Sequence, residues 1–152
     1  MSLLKSVIKG IDNVGGLFFE ETQLARYIVV PESAGGFTIP DPAFPISDRH
    51  IQGIQAPGLI PGSRAVIFFR TRHTKTPAFS VRLNATPLTQ HTFTEGGPNS
   101  WHEIVPPGAL KPQDNELTLF VQGDGHVTFS DIVILYTSNK LTVEQPPVLA
   151  PF

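Results

Sequence analysis

The segment Ala78-Phe79-Ser80-Val81-Arg82-Leu83-Asn84 decides how the chain is read. Phe79, Val81 and Leu83 alternate with Ser80, Arg82 and Asn84, a period of two that turns one strand face to a core and the other to water. Upstream, Arg64 to Arg72 is rich in β-branched and aromatic residues, starts after the Pro61-Gly62 turn signal and stops before the polar run His73 to Pro77. The five residues between these two segments predict a hairpin. Downstream, Asn84-Ala85-Thr86-Pro87 turns the chain into a strand over Leu88 to Phe93, and Glu95-Gly96-Gly97-Pro98-Asn99 is a loop. Strands are then expected at Trp101 to Val105, at Asn115 to Val121, and, after the Gly123-Asp124-Gly125 turn, at His126 to Tyr136. Within the last, Ile132-Val133-Ile134-Leu135 is continuously apolar, which predicts a strand covered on both faces.

Toward the N-terminus the pattern is weaker. Leu17 to Glu20, Arg26 to Val30, Gly36 to Ile39 and His50 to Gln55 read as short strands, and Pro40, Pro42 and Pro45 exclude long regular structure between the last two. Met1 to Ile11 carries Leu3, Leu4, Val7, Ile8 and Ile11 at helical spacing, as a short amphipathic helix would, although an edge strand or a partner-binding arm fits it equally. The end of the chain, with Pro146, Pro147 and Pro151, reads as an extended tail. The expected organisation is one domain over residues 1–140 followed by a Pro-rich tail over 141–152. About eight to ten short strands with frequent turns and no alternation with helices give an all-β, antiparallel β-sandwich, specifically a jelly roll.

Composition agrees with this. The chain has 152 residues, with 15 Pro and 13 Gly that punctuate short strands, 11 Phe to fill a core, and no Cys. The missing cysteines rule out a disulfide framework, a thiolate zinc site and a cysteine nucleophile. No run of 18 apolar residues occurs and no secretory signal is recognisable at the N-terminus, so the expectation is a soluble chain without a membrane span, cytoplasmic unless exported by another route. The net charge of −2 conceals an uneven spread: −3 over residues 1–48, +6 over 49–94 and −5 over 95–152. Either the basic middle pairs across strands with its acidic neighbours, or it forms a face for an anionic ligand.

From Arg64 to Tyr136 the order of elements resembles the galactose-binding-like jelly-roll family, the sandwich shared by many carbohydrate-binding modules. Phe79 to Asn84 resembles its strand ending in Asn before a tight turn. Leu110-Lys111-Pro112-Gln113-Asp114-Asn115-Glu116-Leu117-Thr118-Leu119 resembles its pattern of leucine, lysine, proline, a two-residue turn, asparagine and a strand, with Gln113-Asp114 where Gly is usual. Phe129 to Tyr136 resembles its closing strand. The resemblance implies a binding module. It also implies a structural calcium ion held by Asp131 with partners near the first strand, which here would be Glu20 or Glu21.

Among candidate ligand contacts, Trp101 is the only tryptophan and follows a loop, where an exposed ring could stack on the apolar face of a sugar. Glu103, on the same strand face, together with Asn99 and Arg72, could bond its hydroxyls. A lone Trp at a strand start equally well plugs the end of a core. The five His lack the spacings of a zinc site. No nucleophile elbow or phosphate loop occurs, so no enzyme is expected. Arg70, Arg72, Lys75 and Arg82 lack the interleaved exposed aromatics of a nucleic-acid site. The leading expectation is a non-catalytic, lectin-like glycan binder that forms a homo-oligomer, since weak sites gain avidity when joined. The alternative is a structural jelly-roll subunit of a larger assembly, such as a virion or particle.

Overall fold

A computed structural model describes residues 23–94 and 99–140. Nine strands follow in chain order: β1 (Leu24–Val29), β2 (Phe37–Ile39), β3 (Asp48–Ile54), β4 (Ala65–Lys75), β5 (Ala78–Leu83), β6 (Thr86–Thr92), β7 (Asn99–Val105), β8 (Asn115–Gln122) and β9 (Gly125–Ser138). One antiparallel sheet runs β1-β9-β4-β7, with β2 also on β9, and the other runs β3-β8-β5-β6. With β1 and β2 taken as two halves of one interrupted edge strand, this is the strand order of a jelly roll, as expected. The expected elements at Met1 to Ile11 and Leu17 to Glu20, and the tail over 141–152, lie outside the described residues. Among the described residues no helix is long and apolar enough to cross a membrane.

The alternation that identified β5 and β8 sets their inward faces: Phe79, Val81, Leu83, Leu117, Leu119 and Val121 are all buried. From the other sheet Ile67, Phe69, Phe129 and Ile134 meet them. Phe79 stands at the centre of this seam, edge-on to Phe69 at 6.0 Å and to Phe129 at 5.6 Å between ring centroids.

Two expectations change. β4 and β5 are not a hairpin. The two edges of β4 are taken by β9 and β7, so after Lys75, which adopts a left-handed φ of 59°, the chain crosses to the other sheet. The run His73 to Lys75 is also strand, because it pairs with the first residues of β9. Second, the described residues cover β9 from one side only. Ile132 and Ile134 are buried, whereas Val133 and Leu135 point to the outer face of the sheet. There the registers line up Tyr27, Leu135, Val66 and Ile104 across all four strands, and Val29, Val133, Phe68 and His102 in the next row. Tyr27 and Ile104 are 71% and 60% exposed, so seven apolar side chains of eight face outward in one block.

The interruption between β1 and β2 has a local cause on β9. Asp131 takes φ 53°, the left-handed region, and the pairing of β4 with β9 shifts register beside it. The edge strand answers with a 3-10 turn over Pro31–Ser33. The fully buried Ser33 closes it: its Oγ donates to Val30 O at 2.6 Å and accepts from Ile132 N at 2.9 Å. Ser33→Ala would leave that buried N–H without a partner, and urea unfolding is expected to show a loss of about 1–3 kcal/mol. A loss under about 0.5 kcal/mol would remove Ser33 from this role.

Candidate functional site

The loop from Pro40 to Ser47, joining β2 to β3, is held rather than slack. The Ile39–Pro40 peptide is cis. Asp41 Oδ1 accepts from Ala43 N at 2.7 Å, an Asx turn, and Asp41 O accepts from Phe44 N at 3.1 Å. At one end His126 Nδ1 lies 3.0 Å from Pro40 O, and at the other Val121 N donates to Ser47 O at 2.8 Å. The prolines deny this stretch a ladder, and the turns push Phe44 outward, 70% exposed.

A groove lies on each side of the loop, and Thr38 lines both. The first, about 340 Å³, brings the Phe44 ring together with Asp41, Asp48 and Arg49. The second, about 400 Å³, is lined by Pro42, Arg72, Thr74, His126 and Thr128. Thr38, Thr128 and Arg72 form one cross-strand row on the outer face of the β1-β9-β4-β7 sheet. Thr38 Oγ1 and Thr128 Oγ1 are 2.8 Å apart. Arg49 is steadied by its guanidinium, 5.1 Å above the Phe37 ring. The two grooves thus offer an exposed ring, carboxylate acceptors, guanidinium donors, an imidazole and hydroxyls, the set of groups a polyhydroxylated ligand can use.

Of the residues singled out from the sequence, Arg72 falls in this site. Asn99, Trp101 and Glu103 do not join it. They lie on β7 opposite Thr71, Phe69 and Ile67, the inward residues of β4, whereas Arg72 points outward. Trp101 is half-buried. Its Nε1 donates to Thr71 Oγ1 at 2.8 Å, its ring stacks on Phe69, and His91 of β6 lies 4.8 Å away. It closes the seam between β7 and β6 as a core plug would. Phe44 was missed at sequence level: the prolines at 40, 42 and 45 mark an irregular stretch, but non-strand residues such as Phe93 and Leu110 are buried, so irregularity alone does not signal an exposed ring.

Asp131 is exposed, and its Oδ2 lies 3.7 Å from Arg70 Nη1. Glu20 and Glu21 lie outside the described residues, and no group of three metal-ligating side chains occurs among those described. One carboxylate already facing a guanidinium does not by itself fit a calcium site. Arg70 with Asp131, and Lys75 with Asp124 at 3.4 Å, join the basic middle of the chain to acids of its last third. That is the cross-strand pairing the charge distribution allowed. Both pairs are well exposed and add little to stability.

No protein-family model matches the chain, and no significant match was found among curated proteins. Among solved structures it is similar to part of dimeric latent PorU from Porphyromonas gingivalis, with a TM-score of 0.56 and 10% identity over 76% of this chain. It spans 13% of that much longer chain. It is also similar to the CBM36-1 domain of a multidomain xylanase from the hindgut metagenome of Trinervitermes trinervoides, with a TM-score of 0.45 and 8% identity over 74% of this chain and 96% of that one. At such identities the likeness to PorU establishes a shared β-sandwich fold and leaves ligand and activity to this chain's own residues.

Proposed function

We propose that the chain is a non-catalytic glycan-binding module whose site is the pair of grooves flanking the Pro40 to Ser47 loop. The observation that carries the reading is Phe44: a 70% exposed ring on a pinned loop, lining the groove with Asp41, Asp48 and Arg49, while Thr38 also lines the neighbouring groove with Arg72 and Thr128. An aromatic face desolvates against the C–H face of a pyranose, while flanking carboxylates and guanidinium groups bond its hydroxyls. The aromatic platform is thus Phe44 rather than Trp101. Arg72 keeps the role its position in the sequence first gave it. Shallow open grooves of this kind bind weakly one at a time, so the reading includes a homo-oligomer that gains avidity, detectable as mass by light scattering.

A glycan array followed by titration of the strongest binder tests this. Phe44→Ala is expected to weaken binding at least tenfold, equivalent to about 1.4 kcal/mol, and Arg72→Ala by a similar factor. Both side chains are exposed, so unfolding should change by no more than about 0.5 kcal/mol. An array with no binder, or variants that bind as well as the parent, would overturn the reading.

A further inference from the structure

The outer face of the β1-β9-β4-β7 sheet divides into two halves. Around Thr38, Thr128 and Arg72 it is polar, and a band with Arg70, Ser130 and Asp131 separates that end from the two apolar rows led by Tyr27 and Val29. Seven outward apolar side chains in one block are more than scattered surface hydrophobics require. Four strands about 4.8 Å apart and two rows along them give the block roughly 300 Å² in plan.

We propose that this block is the docking site of the chain's own N-terminal segment, Met1 to Ile11. Three observations favour that occupant. Its apolar residues Leu3, Leu4, Val7, Ile8 and Ile11 fall on one side of a helix, with Ser2, Lys5, Ser6 and Lys9 on the other. An 11-residue helix is about 16 Å long and about 10 Å wide, a footprint the block accommodates, whereas a stable pair of protein surfaces needs about 800 Å² from each partner. Finally, the described chain resumes at Gln23, one residue before β1, the edge strand that carries Tyr27 and Val29. Residues 12–23 can reach up to about 40 Å when extended, and the block is only about 15 Å across from β1 to β7. The connection contains Asp12, Asn13, Gly15 and Gly16, which favour a reversal of direction. The helix would complete on the outside of β9 the cover that the apolar run Ile132 to Leu135 calls for.

The test is hydrogen exchange read by mass spectrometry on the full chain. In the parent, amides of residues 1–11 are expected to exchange at least tenfold more slowly than in the isolated peptide, independently of protein concentration. Replacing the outer residues with Tyr27→Ser and Ile104→Ser should abolish that protection while β8 keeps its own. The reciprocal variant Leu4→Glu with Ile8→Glu should also lose it and should brighten a hydrophobic dye several-fold. Free exchange of residues 1–11 in the parent would overturn the proposal, as would protection that survives the Tyr27 and Ile104 changes. So would protection that disappears on dilution together with a fall in mass, the sign of a second copy on the block, or protection of residues 141–152 in place of 1–11.

Discussion

Asn115→Ala is expected to destabilise the sandwich by about 3–5 kcal/mol and to lower Tm by on the order of 10 °C. Asn115 is fully buried and uses both ends of its amide. Nδ2 donates to Ile54 O at 2.9 Å and to Lys111 O at 2.8 Å, while Oδ1 accepts from Lys111 N at 2.8 Å and from Asn84 Nδ2 at 3.0 Å. Asn84, at φ 54°, continues the network to Ala109 O and Glu116 N. One side chain therefore ties the end of β3, the turn before β8 and the hairpin after β5. Alanine would strand several buried donors and acceptors at once, and each costs about 1–3 kcal/mol. Asn115→Asp keeps the shape but faces two carbonyls with a group that cannot donate, so it should cost nearly as much. Urea unfolding reads both variants. A loss under 1 kcal/mol for either would mean that water replaces the network without penalty.

Phe79→Ala should be comparably severe, about 3–5 kcal/mol, because it removes the ring on which both sheets meet. Phe79 is almost fully buried and lies within 5.2–6.0 Å of the rings of Trp101, Phe93, Phe129 and Phe69. The cavity would open beside Trp101, so a red shift of the single tryptophan's emission should accompany the loss. An unshifted spectrum with parental stability would show that the seam closes over the gap. The contrast with Phe44→Ala is instructive: same chemistry, but an exposed ring, a small change in stability and the effect on ligand.

The inward faces of β5 and β8 were legible because a period of two is a local property. Which sheet each strand joins is not. The alternation of Phe79, Val81 and Leu83 is the same whether β5 lies beside β4 or across from it, and only the claims of β9 and β7 on β4 settle the matter. Asn115 was visible as part of a turn pattern, yet its two distant partners were not, since Ile54 O and Asn84 Nδ2 are brought to it by the fold. Trp101 had two readings at sequence level because exposure at a strand start depends on what β6 supplies opposite. His91 of β6 and Phe93, one residue beyond its end, supply it. The grooves escaped notice because Thr38, Arg72 and Thr128 are far apart in the chain and meet only through the register of β2, β9 and β4.

The strand order also fixes when the molecule can come together during synthesis. β1, β2 and β4 all pair with β9, and β3 and β5 with β8, so most of the first hundred residues wait for partners made last. Before Asn115 leaves the ribosome only the β5-β6 and β4-β7 pairs can form. Such late closure belongs to slow, high contact-order folding, and it leaves apolar strands unpaired on the nascent chain while their partners are still being made. A stop codon or a proteolytic cut ahead of β8 would therefore yield an aggregating fragment rather than a smaller domain, because β8 and β9 supply the partners on which both sheets close.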